Sequence, residues 1–347
     1  MNMRAAICLG YGPPERVCIV RLPKPVPKPD EILIRVRAST VSSADHRIRA
    51  LDMPPGIPLW LARAALGWRR PRRGVLGTEL AGTVEAVGKA AKNFRVGERV
   101  FAFPGVELGG HADYRCLPAT GRVVHMPDGM DFIEAAAMSF GCTAALDFLR
   151  RGQAMPGERI LIRGASGAVG SAAVQLARHS GLRVAAVCSG DNAAWVEALG
   201  AERVIDYRKT DVFAHGERYD LVFDTVGGVP LAKWAPLLRP RGRLLLLANG
   251  LSDVLQVCGR SLPRDVSLVT GMAGERRQDL EHLAALFAAG AYRPAIDRVY
   301  PFARIREAHA YVDTGRKRGS VVVTFDHGGA TTLDSSTTDL ERHRATS

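Results

Sequence analysis

The run Ile160-Leu161-Ile162-Arg163-Gly164-Ala165-Ser166-Gly167-Ala168-Val169-Gly170 constrains this chain more than any other feature. An apolar strand enters a glycine-rich turn, and the turn opens a helical pattern over residues 169–180, so backbone rather than side chains faces whatever lies at the turn. Gly167 would let the backbone approach a pyrophosphate, and Gly170 would let the helix pack on the strand. The free N–H groups of the helix start would meet the anion. Ala165 stands where the first glycine usually falls, giving A-x-G-x-x-G, a pattern that also occurs as a plain strand-to-helix connection. Its surroundings favour the dinucleotide reading. Strand patterns at 184–188, 204–206, 221–224 and 243–248 alternate with helical ones at 134–151, 193–199 and 231–238, which predicts βαβ units, right-handed crossovers and a doubly wound parallel sheet.

The first third is different. Short apolar runs at 4–9, 17–21, 31–38, 81–87 and 99–103 are punctuated by Gly10-Tyr11-Gly12-Pro13-Pro14, four prolines at 23–29, and glycines 74, 77, 82, 88 and 97. This reads as a small barrel or folded β domain. Residues 59–66 predict a short helix within a Leu-, Trp-, Ala- and Arg-rich stretch, 51–73, that could wall a pocket or pack on the body. A helix over 279–289, a strand over 295–300, a helix over 305–313 and a strand over 320–325 follow. Residues 326–347 are polar and read as a disordered tail. The expected division is 1–126, 127–272, 273–325 and the tail.

The net charge is +12, and only seven of the 47 basic residues are lysine. One dense run, Arg69-Arg70-Pro71-Arg72-Arg73, stands out. Elsewhere arginines alternate with acids, which makes nucleic acid an unlikely partner and leaves a phosphate-bearing ligand open. Six cysteines without a CxxC pair read as reduced thiols of a cytoplasmic protein. No apolar run approaches the length of a membrane span.

After the second strand of the α/β part stands Cys188-Ser189-Gly190, where an NAD enzyme carries an acid for the ribose hydroxyls. Tyr207, Arg208 and Lys209 follow the third strand and could reach a 2′-phosphate. NADP(H) is therefore expected over NAD(H), with nearby Asp191 arguing the other way.

Several motifs in one order make the chain resemble the medium-chain dehydrogenase/reductase superfamily, and within it the zinc-free quinone oxidoreductase group. They are Tyr11-Gly12-Pro13-Pro14-Glu15, Val75-Leu76-Gly77-Thr78-Glu79-Leu80-Ala81-Gly82, Phe94-Arg95-Val96-Gly97-Glu98-Arg99-Val100, Gly110-His111-Ala112-Asp113-Tyr114, Gly141-Cys142-Thr143-Ala144, the 164–170 turn, Val204-Ile205-Asp206-Tyr207 and Gly319-Ser320-Val321-Val322. The resemblance implies an α/β protein with a GroES-like β domain, an inserted Rossmann domain, and an active site between them. It maps pyrophosphate contacts onto Ser166, Gly167, Ala168 and Val169, the adenosine end onto Ser189 and Tyr207, and the nicotinamide end onto Thr143 and Asn249, with Arg316 and Arg318 also near the cofactor. Ser42 stands at the position of a zinc-ligating cysteine and Thr78-Glu79 at a His-Glu position, so no metal is expected. His46, His111 and His125 are isolated.

Without a Lewis acid, the expected reaction is hydride transfer to a small apolar quinone, enone or other activated carbonyl. Ser42 and Thr143 are candidate hydrogen-bond donors to the oxyanion or mere cofactor contacts, His46 or Tyr114 a candidate proton relay, and Asp45 a loop-structuring residue. The 41–47 loop lacks the Asn and Tyr common in quinone oxidoreductases. An enoyl-thioester reductase, an alcohol dehydrogenase-like enzyme and a non-catalytic NADPH-binding protein stay open as alternatives. The resemblance suggests a homodimer joined through the edge strand at 267–272.

Overall fold

The computed structural model describes residues 1–53, 58–214, 216–247 and 262–327. Asn249 and residues 328–347 of the expected tail lie outside the described residues. Asp326 and His327, placed in that tail by composition, pack on the β domain: Asp326 O accepts from Arg4 Nη2 (2.6 Å) and His327 Nε2 bonds Val36 O (2.6 Å).

A hairpin of β1 (Asn2–Cys8) and β2 (Val17–Pro23) opens the chain. A seven-stranded sheet then combines β3 (Glu31–Val41), β4 (Leu80–Val87), β5 (Arg99–Ala102), β6 (Tyr114–Pro118) and β7 (Val123–His125) with β14 (Ile296–Pro301) and β15 (Ser320–Thr324) from the far end of the chain. β3 is the longest of these strands, and its second edge is shared by β6 along residues 31–35 and β15 along 38–41. The carboxy-terminal return therefore completes the first sheet. Two helices, α1 (Ser43–Ala50) and α2 (Leu59–Leu66), follow β3.

The middle of the chain forms a six-stranded parallel sheet in the order β10-β9-β8-β11-β12-β13, from β8 (Arg159–Arg163), β9 (Arg183–Cys188), β10 (Arg203–Asp206), β11 (Tyr219–Asp224), β12 (Leu238–Leu246) and β13 (Ser267–Thr270). Its strands read as near-continuous apolar runs because both faces are covered. Ile160, Ile162 and Phe223 pack one way against Phe148, Ala172 and Leu280, while Leu161, Val222 and Leu244 pack the other way against Leu231, Trp234 and Leu237. α3 (Phe132–Ala136) packs on the first sheet against β3, β4 and β5; the helices that cover the parallel sheet are α4 (Phe140–Arg151), α5 (Ala168–His179), α6 (Ala193–Ala198) and α7 (Arg277–Ala288), and α8 (Ile305–Asp313) packs on the first sheet.

Two sequence expectations are corrected. The helix over 134–151 is two helices: Asp131 and Glu134 form a capping box that starts α3, and α4 restarts after Ser139, whose carbonyl accepts from the Thr143 N–H. The helix over 231–238 is a pair of 3-10 turns, Leu231–Lys233 and Ala235–Leu237, because Pro236 has no N–H to continue an α-helical ladder.

The α5 turn is tightly packed. Gly164 takes a φ of +77°, and a Cβ on Gly170 would lie 2.1 Å from Gly164 O. Gly170→Ala should therefore destabilise the protein by about 1–3 kcal/mol, the cost of overpacking a rigid backbone, read as a lowered urea midpoint with an unchanged slope.

Candidate functional site

The strand order reverses between β8 and β11, which opens a crevice at their carboxyl ends where open α/β sheets bind ligands. Arg163 Nη1 donates to Asp224 Oδ1 (3.0 Å) and to Gly227 O (3.0 Å), and Asp224 also accepts from the N–H groups of Val226 and Gly227. These bonds fix the two strand ends that floor the crevice. Gly167 caps α5 with no side-chain bond, so the first N–H groups of the helix have no intrahelical acceptor. A Cβ on Gly167 would meet only Gly164 O, at 3.4 Å, so its face toward the crevice is unobstructed. Ser166, Gly167, Ala168 and Val169 thus occupy one turn at the switch point. The opposite rim is supplied by the return to the first sheet: Gly319 N–H donates to Ser166 O (2.9 Å). Arg316 and Arg318 flank this contact and are exposed.

At the ends of β9 and β10, Ser189 is buried and Tyr207 exposed. Arg208 Nη1 pairs with Asp191 Oδ2 at 2.9 Å on the surface beside them. The acid and the base that argue for different cofactors neutralise one another.

On the β-domain side, Ser42 is engaged internally. Its hydroxyl donates to Asp45 Oδ2 (2.7 Å) and accepts from the Asp45 N–H (3.2 Å), a capping box that starts α1, and Thr78 Oγ1 lies 3.4 Å away. The other Asp45 oxygen accepts from Gly77 N–H (2.9 Å), which ties α1 to the turn before β4. Thr143, on α4, donates to Ser139 O (2.8 Å). His46 turns away from Ser42: its Nδ1 bonds Asp313 Oδ1 (2.7 Å), a carboxylate shared with the buried Arg49. His111 bonds Thr40 O and His125 bonds Glu98. The structure brings Ser42, Thr78 and Asp45 together and leaves His46 with the end of α8. Tyr114 lies on β6, its ring beside His327 and under the Lys24 ammonium.

Glu79 is the residue that sequence reasoning underused, treating it only as an inadequate zinc ligand. It is 2% exposed. One oxygen accepts from the Phe140 N–H (2.7 Å) at the start of α4, the other from Thr40 Oγ1 on β3. Burial pushes its carboxyl up to about 7 despite these two donors. Lys317, whose ammonium donates to Gly319 O (2.8 Å), is brought down to about 8 by the same desolvation, with Glu79 opposing the shift. Behind α4, Cys142 Sγ and Tyr292 OH lie 2.7 Å apart, both held neutral by burial. The signal for Glu79 was an acid in the apolar run from Leu76 to Ala81.

Glu79 holds its proton more tightly in the folded than in the unfolded chain, so its favourable contribution is complete below about pH 4.5 and declines as pH rises through about 7. Glu79→Gln keeps both partners, its amide oxygen accepting from Phe140 and its nitrogen donating to Thr40. The unfolding free energy of the wild type relative to this variant should fall by up to about 3 kcal/mol between pH 4.5 and 8. A difference independent of pH would show that Glu79 ionises as an ordinary carboxylate.

Among the described residues, no three His, Cys, Asp or Glu side chains converge as a metal site. Ser42, Thr78 and Glu79, at the zinc-ligand positions of zinc-dependent relatives, are bound to one another's neighbours, and this donor set does not fit zinc. The model of an alcohol dehydrogenase GroES-like domain matches residues 28–128, and that of a zinc-binding dehydrogenase matches residues 199–323. A quinone oxidoreductase of Sus scrofa is 32% identical over 303 residues, covering 82% of this chain and 86% of its own. An NADPH-dependent alkenal/one oxidoreductase of Arabidopsis thaliana is 27% identical, covering 85% of this chain and 72% of its own. The solved quinone oxidoreductase of Coxiella burnetii superposes with a TM-score of 0.82 at 24% identity over 93% of this chain and 99% of its own. With its GroES-like sheet, its Rossmann sheet and these relatives, the chain belongs to the medium-chain dehydrogenase/reductase superfamily and is quinone oxidoreductase-like.

Proposed function

We propose that this protein reduces small apolar quinones, enones or similarly activated carbonyl compounds with NADPH and without zinc. The observation that carries the reading is the pairing of a pyrophosphate-ready turn at the switch point with a facing wall whose zinc-ligand positions hold Ser42, Thr78 and Glu79. The bound nicotinamide supplies a hydride. The chain's own part begins with the N–H groups of Ala168 and Val169 at the start of α5, which take the pyrophosphate, while Ser166 and Gly167 shape the turn beside it, the Gly167 N–H being held by Gly164 O (3.0 Å). Ser189 and Tyr207 border the adenosine end, and Arg316 and Arg318 stand near the rim. Asn249, assigned to the nicotinamide end by resemblance, keeps that role in this reading.

Ser42 and Thr143 bring hydroxyls to the cleft side, but each already donates its proton, to Asp45 and to Ser139 O. They therefore position the wall and offer lone pairs to a cofactor amide. His46, bonded to Asp313, is reassigned from proton relay to support of α1. The acceptor must be one that takes hydride without metal activation, which is the property quinones and enones share, and its proton comes from solvent.

NADP(H) over NAD(H) rests on Ser189 in place of an acid and on Arg208, which cancels Asp191 and stays exposed toward a 2′-phosphate. A homodimer through β13 is supported by its place at the outer edge of the six-stranded sheet, where, among the described residues, no strand pairs with one side of its backbone. The free thiols of Cys8, Cys18, Cys116, Cys142 and Cys188 support a reducing compartment such as the cytoplasm.

Absorbance at 340 nm should fall when NADPH is mixed with protein and 1,4-benzoquinone or an alkyl enone, and a chelator should leave the rate unchanged. Tight NADPH binding with no turnover across quinones, enones, an enoyl thioester and simple aldehydes would refute the enzymatic reading. Arg208→Ala should raise the KM for NADPH about tenfold, the loss of one charge-assisted hydrogen bond, while leaving the KM for NADH unchanged.

A further inference from the structure

We propose that the pocket between the β1–β2 turn and the segment after α2 binds an organic phosphate monoester carried on a planar ring. Five side chains define it: Tyr11, Arg16, Arg63, Trp68 and Arg69, around an open volume of about 510 Å³. Three guanidiniums line one concavity, and among the described residues no carboxylate lines it with them.

Several arginines beside the chain's sheets are paired, as Arg49 with Asp313, Arg122 with Glu275, Arg159 with Glu217 and Arg243 with Glu158. Among the described residues, Arg16, Arg63 and Arg69 form no ion pair. Arg63 goes further: its Nε is enclosed and has no acceptor. A buried donor without a partner costs about 1–3 kcal/mol, and an arriving anion would relieve this one at Arg63 while meeting the exposed guanidiniums of Arg16 and Arg69 beside it. Three guanidinium forks suit the oxygens of a dianionic phosphate, which they bind through parallel N–H bonds.

The frame is fixed before any ligand arrives. Tyr11 OH donates to Gly67 O (2.7 Å), Gly12 N–H donates to Arg49 O (3.0 Å), and Arg49 Nη1 donates back to Gly12 O. Arg72 and Arg73, the neighbours of this set in sequence, are turned onto the carbonyls of Ala64 and Glu107, so the basic run divides into structural and unpaired members. Trp68 is 64% exposed and presents an indole at the pocket's edge. An aromatic face of that kind stacks on a nucleobase-like ring, and the volume exceeds what a lone phosphate ion fills. The pocket stands at the Arg49 end of α1, about 12 Å of helix from Ser42 at its start, so the site is distinct from the turn at α5.

The test is calorimetric titration of the full chain, saturated with NADPH, with adenosine 5′-monophosphate, ribose 5-phosphate, inorganic phosphate and adenosine. One equivalent of adenosine 5′-monophosphate should bind, and affinity should drop at least tenfold in the double variant Arg16→Gln, Arg69→Gln. Both positions are exposed, and an unchanged melting temperature will confirm that the variant folds. Trp68→Ala should weaken adenosine 5′-monophosphate while leaving ribose 5-phosphate unaffected, and adenosine alone should not bind. Affinity equal in wild type and double variant, inorganic phosphate binding as tightly as the nucleotide, or no heat at millimolar nucleotide would each overturn the proposal.

Discussion

The two sheets are held in one relation by the carboxyl of Glu79. It leaves β4's start, takes the Phe140 N–H at the head of α4 and the Thr40 hydroxyl on β3, and does so where water does not reach. Sliding α4 along the first sheet would leave a buried carboxyl unpaired, a state that costs several kcal/mol. Non-directional apolar contact would tolerate such a slide, but two hydrogen bonds to one carboxyl do not. The second join, from Gly319 N–H to Ser166 O, holds the return strand against the glycine turn.

Much of this was legible from residues alone where a backbone rule dictates the outcome. The helix at 59–66 and that at 305–313 have the bounds the sequence predicts, the first because Pro58 and Gly67 flank it and the second because its apolar spacing runs out before Gly315. The parallel sheet followed from alternating βαβ units. What escaped was decided by tertiary partners. Nothing in the sequence near Arg49 indicates that it is wholly buried, since its partners Gly12 and Asp313 are 37 and 264 residues away. The break between α3 and α4 was invisible to hydrophobic periodicity because Ala137 and Met138 are as apolar as a continuous helix would require. In the candidate site, residue positions were readable and proton positions were not: Ser42 and Thr143 look like free hydroxyls until Asp45 and the Ser139 carbonyl are seen to take their protons.

The net charge of +12 follows the same division. Arginine lets a long side chain cover apolar surface while its fork ties distant backbone carbonyls, as Arg99 does with Met130 and Arg122 with Phe103 and Pro104. Arginine richness here is largely a way of bracing loops. Only those guanidiniums left without a carboxylate or carbonyl carry information about ligands.

The cleft chemistry narrows for a related reason. A site built on oxyanion stabilisation needs donors aimed outward in advance of the reaction. Here Ser42 and Thr143 donate inward, and the buried carboxyl of Glu79 is enclosed by Phe140 and Thr40. In the proposed reading Ser42 and Thr143 therefore lend the oxyanion little electrostatic assistance, and what remains is alignment of donor and acceptor, an effect worth up to about 7–11 kcal/mol when geometry is good. Alignment alone suffices for an acceptor whose reduced form spreads its own negative charge, as a quinone or enone does through conjugation. It does not suffice for an isolated ketone, whose alkoxide would need a donor that Ser42 and Thr143 do not have free.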